Sequence, residues 1–461
     1  MHDLTTGSIP RHILRMAAPI AIGMFFQTAY YLVDLYFVAQ LGDTALAGVG
    51  AAGNVQFIVM ALTQVLGVGT MVLIAHAAGR KDEADGNLVF NQSLVLAALA
   101  GVATLGLGLL AARPYLALIA ADAATAEEGV RYLHWFVPAM ALQFALVSIG
   151  SALRGTGVAK PTMLVQLASV VVNALLAPVL IAGWGTGRPM GVAGAGLAST
   201  ISVGAAVLLL LWYFATSSSF VRFQLTLCRP QLAVWARLLR IGVPAGAEFA
   251  LMFLTMAVTY WIVRDFGTAA QAGYGVGSRV LQAVLMPGMA VAFAAAPIAA
   301  QNVAAGHADR ARQTFIDAVR IGSGLMLLLT LVCRWRPEAL VHTFASDAAV
   351  VTVAAEFLAV ISLNFISAGL VFTCSGMFQA LGNTVPTVIS SAVRLCLFLV
   401  PALWLARQPG FALHELWLVS VGASTVHAGF AIWLLHREVT ARRLFDVLPS
   451  VTSPTPADAI V

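Results

Sequence analysis

Residues 13–39 read ILRMAAPIAIGMFFQTAYYLVDLYFVA, 27 residues whose only formal charges are Arg15 and Asp34. A helix needs roughly 20 apolar residues to cross a hydrocarbon core, so this stretch reads as a membrane span. It is longer than the apolar core of a signal peptide, and no convincing small-residue cleavage site follows it. It is therefore expected to stay in the mature protein.

The rest of the chain repeats this pattern. Of 461 residues, 60% are hydrophobic and 10% charged, and at that ratio the polar residues could not cover a soluble core. Charged, Pro and Gly breaks divide the chain into spans near 13–39, 47–74, 88–111, 129–152, 161–183 and 189–214, then 236–263, 272–300, 314–334, 352–378, 386–406 and 413–436. Helices satisfy their own backbone in lipid, so the spacing predicts an all-α membrane protein of twelve transmembrane helices. The Gly-rich second and eighth segments are the places to expect a bend or break.

The formal charge of +5 does not point to nucleic acid, because the 25 basic residues are dispersed in short clusters between apolar runs. Their distribution instead sets an orientation, since cytoplasmic loops retain Lys and Arg. With the N-terminus inside, sixteen fall on the cytoplasmic side, from Arg11 and Arg15 through Arg80, Lys81, Arg237 and Arg240 to Arg442 and Arg443. Seven fall outside, and Arg279 and Arg394 lie within spans. Both termini are thus expected in the cytoplasm of a multi-pass protein. The cysteines, Cys228, Cys333, Cys374 and Cys396, have no metal-site spacing.

The chain also matches itself at an offset of 225 residues: Arg15 with Arg240, Pro19 with Pro244, Gly42 with Gly267, Ala47-Gly48 with Ala272-Gly273. The register persists late in each half, where Gly157 to Pro161 lies opposite Gly382 to Pro386. A fixed period of this kind marks an internal duplication. Each half holds six spans, so both enter the membrane from the same side, giving parallel repeats of the sort found in rocking carriers. The division is an N-lobe over 1–214, a cytoplasmic linker over 215–235, a C-lobe over 236–440 and a cytoplasmic tail over 441–461, polar and expected to be disordered from Pro449 to Val461.

These pieces also resemble a family. PIAIGMFFQTAYYLVDLYFVAQLG at 19–42, GVGTMVLIAHAAGRKD at 67–82, LRGTGVAKP at 153–161, GVAGAGLAST at 191–200 and APIAAQNVAAG at 296–306 are similar, in that order, to segments of the multidrug and toxic compound extrusion (MATE) transporters. The likeness covers nearly the whole chain. It implies a V-shaped pair of six-helix lobes in a bacterial plasma membrane. It further implies secondary active export of amphipathic, often cationic, drug-like compounds against protons or sodium by a monomer, with no other cofactor and no nucleic-acid partner.

Among individual residues, a carboxylate within a span is costly and usually functional, which puts Asp34 first. Gln27, Tyr30, Tyr31 and Asp34 recur at helical spacing and form one polar stripe. Burial disfavours the ionised form of a carboxyl, so Asp34 could exchange a proton across a physiological gradient; the alternative is an interfacial hydrogen-bond acceptor near the outer end. Gln166, Ser169 and Asn173 share a face of the fifth span, and Ser199 and Thr200 supply hydroxyls in the sixth. The resemblance places Tyr30, Asp34, Asn173 and Ser199 in the family's cation-coupling cavity, with sodium at Asp34 and Asn173 as one option. A second acid that the family often carries is Ala177 here, a departure that favours the proton.

In the second half, Glu248, Met252, Thr255 and Thr259 form a similar stripe. Family branches with a C-lobe ion site carry acids where this chain has Met252 and Ala368. Glu248 could serve substrate or proton traffic, or pair with an arginine. Arg279 and Arg394 are expected to be buried, with Arg279 and Gln282 either lining a central cavity or pinning helices. Met24, Phe25, Phe26, Met60, Phe253, Met256, Met286 and Met289 are adaptable surfaces for varied apolar shapes, although packing against a helix or lipid is the stronger explanation for any one of them. No Walker loop, HExxH or Gly-x-Ser-x-Gly pattern occurs, so the sequence points to a carrier and not to an ATPase or an intramembrane enzyme.

Overall fold

The structure is a computed structural model that describes residues 2–217, 220–342, 344 and 347–442. Ser218 and Ser219 of the linker, Arg443 and the tail beyond it lie outside the described residues. The described chain is helical: α1 (Ile9–Ala39), α2 (Asp43–Gly79), α3 (Glu83–Ile119), α4 (Ala123–Gly155), α5 (Lys160–Ile181), α6 (Val192–Thr216), α7 (Leu232–Val263), α8 (Thr268–Ala304), α9 (Ala308–Trp335), α10 (Pro337–Val341), α11 (Ala348–Ile361), α12 (Asn364–Ala380), α13 (Val385–Leu405) and α14 (Leu413–Ala441). Among the described residues, eleven helices are long and apolar enough to cross a membrane, and α11 with α12 makes a twelfth span as a bent pair.

The duplication is visible in backbone geometry. Both α2 and α8 run for 37 residues, and each starts just after a glycine in the same conformation, Gly42 at φ 107° and ψ 170° and Gly267 at φ 94° and ψ 174°. Only glycine adopts that region without strain. Likewise α5 and α13 follow Gly157 (φ 79°) and Gly382 (φ 70°), and each takes a proline in its first turn, where the missing N–H is no loss.

Two expectations are corrected. The Gly-rich second and eighth segments are unbroken helices, and glycines such as Gly69, Gly79 and Gly277 lie where a Cβ would meet a neighbouring helix. The tenth span, expected to run unbroken over 352–378, is instead bent by 56° between α11 and α12. No glycine or proline stands at the break. Instead, the Thr330 hydroxyl of α9 shares its hydrogen between the Met326 carbonyl of its own helix at 2.8 Å and the Ser362 carbonyl at 2.9 Å, while Phe365 N–H bonds back to Ser362 O in a tighter turn. A side chain has entered the helical ladder, a recognised cause of a sharp kink.

Helices α1 to α6 pack on one another in one lobe, and α7 to α14 in a second. The lobes meet where α1 and α2 contact α7 and α8. Along this seam Gly69 lies on the Leu238 backbone, and Gly242 and Gly246 lie on the backbone of α2 at Val65 and Ala61, leaving no room for a Cβ. Polar clasps sit at the same end. His76 Nε2 is 2.7 Å from Ala380 O, Gln301 Nε2 donates to Gly155 O at 2.8 Å, and the Arg237 guanidinium grips both Asp85 oxygens at 3.0 and 3.1 Å.

The segment joining the lobes is also held. Asn87, Asn91 and Gln92 of α3 read its backbone through both ends of their carboxamides, donating to Arg222 O and Leu227 O and accepting from Arg222 N, Gln224 N and Gln231 N. Asn91 and Gln92 are fully buried, and these bonds satisfy them.

Candidate functional site

On α1, Asp34 turns away from the cleft between the lobes and toward α5 and α6. Asp34 is 9% exposed. Asn173 Nδ2 donates to Oδ1 at 3.1 Å and Ser199 Oγ donates to Oδ2 at 3.0 Å; both partners are fully buried. One turn back, the Tyr30 hydroxyl lies buried beside Ser199, and among the described residues neither it nor Asn173 Oδ1 has a hydrogen bond of good geometry. Buried polar atoms are seldom left so. Ala177, one turn beyond Asn173, is fully buried and adds no oxygen.

The remaining polar residues of this lobe go elsewhere. Ser169 bonds Ser202 O at 3.3 Å, Thr200 bonds Trp135 O, and the Gln166 carboxamide rests on Gly23. Gln27 and Tyr31 are exposed, Tyr31 lying beside Gln56 of α2. Gln56 in turn donates to Gln143 Oε1 at 2.9 Å. That glutamine pair escaped the sequence reading because it joins two residues 87 apart on different spans.

In the C-lobe, Glu248 is half-buried and accepts from Ser375 Oγ of α12 at 2.9 Å, with Gln379 Nε2 3.5 Å behind that serine. A serine therefore stands where an arginine had been the alternative. The Thr255 and Thr259 hydroxyls donate at 2.8 Å to carbonyls one turn back on α7, so their hydrogens are already engaged. Met252 and Ala368 are half-buried.

Arg279 was expected to be buried and is exposed. It shares a face of α8 with Gln282 and Met286, at separations of three and seven residues. Gln282 Nε2 lies 3.7 Å from Met256 Sδ of α7, and Met286 Sδ lies 3.7 Å from Thr28 Oγ1 of α1. The face is therefore the one that α8 turns toward α1 and α7. Arg394 is half-buried on α13, on the face that carries Thr387 and Ser390. At the cleft's mid-depth, Phe57 of α2 and Phe253 of α7 pack across the seam with ring centroids 4.8 Å apart.

The MatE family model matches residues 19–179 and 244–405, one segment in each lobe. The chain belongs to the MatE family. Curated MatE-like relatives include the probable multidrug resistance protein YoeA of Bacillus subtilis, 27% identical over 83% of this chain and 84% of that protein. Another is the FAD transporter of Shewanella oneidensis, 23% identical over 87% and 88%. Among solved structures, an outward-facing multidrug resistance MATE transporter shares the fold with a TM-score of 0.87 at 22% identity, over 95% of this chain and 98% of that one. The duplicated six-span architecture is therefore that of a multi-pass MatE membrane protein.

Proposed function

We propose that this MatE protein is a secondary active exporter of amphipathic organic compounds, driven by proton exchange at Asp34. It would act as a monomer in the plasma membrane of a bacterium with both termini in the cytoplasm. The observation that carries the reading is the buried Asp34 carboxyl, held by the Asn173 amide and the Ser199 hydroxyl with the Tyr30 hydroxyl nearby. In its ionised form the carboxylate accepts from Asn173 and Ser199, bonds that an anion strengthens. Once protonated it must itself donate, and the unpartnered Asn173 Oδ1 and Tyr30 hydroxyl are acceptors within the same pocket. The site thus has two hydrogen-bond arrangements, one per protonation state, which is what a coupling centre needs in order to bias α1 between two positions.

A proton fits this pocket better than sodium. Sodium needs several oxygens around it, whereas Asn173 and Ser199 point donor hydrogens at the carboxylate, and Ala177 removes the oxygen an acid would add. The named relatives support export of organic molecules, and the seam closed at the cytoplasmic end by the charge rule supports an outward-facing state. The test is proton release on substrate addition to purified protein in weakly buffered detergent without sodium. Wild type should release protons and Asp34→Asn should not; release that persists in the variant would move the coupling away from Asp34.

A further inference from the structure

The four helices that meet at the cleft carry few charges at membrane depth. Residues 19–39, 46–75, 245–263 and 270–300 hold three formal charges: Asp34, Glu248 and Arg279. Both carboxyls turn away from the cleft into their own lobes, Asp34 toward Asn173 and Ser199 and Glu248 toward Ser375. Arg279 alone of the three is exposed, on the α8 face that meets α1 and α7. It forms no ion pair among the described residues. An arginine at this depth is tolerated where it lines a water-filled cavity, and there it marks the substrate path.

Its level can be read from the helix register. Met286 touches Thr28, and α1 and α8 run in opposite directions because each six-span half enters the membrane from the same side. Seven residues toward the start of α8 therefore correspond to seven toward the end of α1, a rise of about 10 Å on each. Arg279 thus stands level with Leu35 and Asp34, across the cleft from the pocket that holds the carboxyl. One turn below it, Gln282 and Met256 supply an amide and a thioether, and Phe57 and Phe253 form an aromatic floor.

Resting on the export reading above, we propose that Arg279 is the substrate-charge selector, so that the protein exports amphipathic compounds bearing a carboxylate or phosphate in preference to cations. The guanidinium presents a planar fork that matches either group bidentately. The apolar or aromatic body of the ligand lies against Phe253, Phe57 and Met256, surfaces that tolerate varied shapes. This reverses the cation preference expected from the family resemblance. Its physical reason is that the cleft wall shows one positive charge and keeps both negative ones turned inward.

The experiment compares binding of three fluorescent probes to purified full-length protein: a carboxylate dye of the fluorescein type, flavin mononucleotide as the phosphate probe, and a cationic rhodamine ester. Wild type should bind at least one anionic probe more tightly than the cation. Arg279→Gln should weaken that anion by about tenfold or more, the cost expected when a charge-assisted pair is lost. It should leave the cation unchanged or tighter, and Arg279→Lys should recover part of the anion affinity. Equal anion binding by wild type and Arg279→Gln, or binding of the cation alone by wild type, would overturn the proposal. Transport separates the two readings. If Asp34→Asn stops all efflux while Arg279→Gln only reorders the probes, coupling and selectivity are distinct; if Arg279→Gln stops every probe equally, Arg279 is not a selector.

Discussion

The Ser199 hydroxyl and the Asn173 amide divide the two oxygens of Asp34 between them. Removing either leaves one buried carboxylate oxygen without its donor, and hydrogen bonds to charged groups contribute about 1.5–3 kcal/mol. Ser199→Ala is therefore expected to slow proton-driven efflux roughly tenfold with little loss of folded protein, checked by initial efflux rates at matched expression. A second single-site outcome concerns Lys81, which sits at φ 57° where the duplicated position is Gly306 at φ 77°. A left-handed conformation costs a non-glycine residue about 1–2 kcal/mol, so Lys81→Gly should raise the thermal midpoint in detergent slightly; a fall would mean that the lysine side chain outweighs the strain. Asp34 was legible in the sequence because a lone carboxylate in an apolar run has few structural uses. Its partners were legible only through the resemblance, since an asparagine and a serine within spans are ordinary helix-to-helix bonds by themselves. The exposure of Arg279 was not legible, because sequence places a residue on a helix but does not say which neighbours leave it uncovered.

The helices themselves were read with small boundary errors, since each apolar run is longer than the membrane requires. The bend between α11 and α12 was missed for a definite reason: its cause is a hydroxyl on another helix, not a residue at the break. Thr330→Val keeps the volume near Thr330 but removes the hydroxyl that reaches the Ser362 carbonyl, which keeps its bond from Phe365 N–H, at a cost of about 0.5–1.5 kcal/mol. It should lower the unfolding midpoint in detergent by several degrees, and an unchanged midpoint would show that the bend is held elsewhere. The clasp of α3 on the interlobe segment was equally hidden. Asn87, Asn91 and Gln92 fall at the start of a span, where polar residues usually just face the interface.

The offset of 225 residues revealed two like halves and hence their parallel entry, but not which end of the seam is closed. That depends on backbone approaches no wider than a glycine allows, as at Gly242 against Val65. Gly242→Val should force the seam apart and make cysteines placed near the Gly79 end of α2 more reactive toward a membrane-impermeant thiol reagent; unchanged labelling would mean that the lobes close by other contacts. The Arg237–Asp85 clasp at the same end is partly exposed, with side chains 44% and 16% accessible. Solvent screening leaves such pairs about 0–1 kcal/mol, so Arg237→Gln should change the seam far less than Gly242→Val. On that expectation packing and not charge holds the closed end, and under the proposed function proton exchange at Asp34 would set when the lobes rearrange. The most direct test is efflux of a fluorescent amphiphile from proteoliposomes under an imposed pH gradient, with sodium omitted and then added, for wild type and Asp34→Asn. The expected result is pH-driven efflux by wild type without sodium and none by Asp34→Asn; efflux that requires sodium, or that survives in Asp34→Asn, would contradict proton coupling through Asp34.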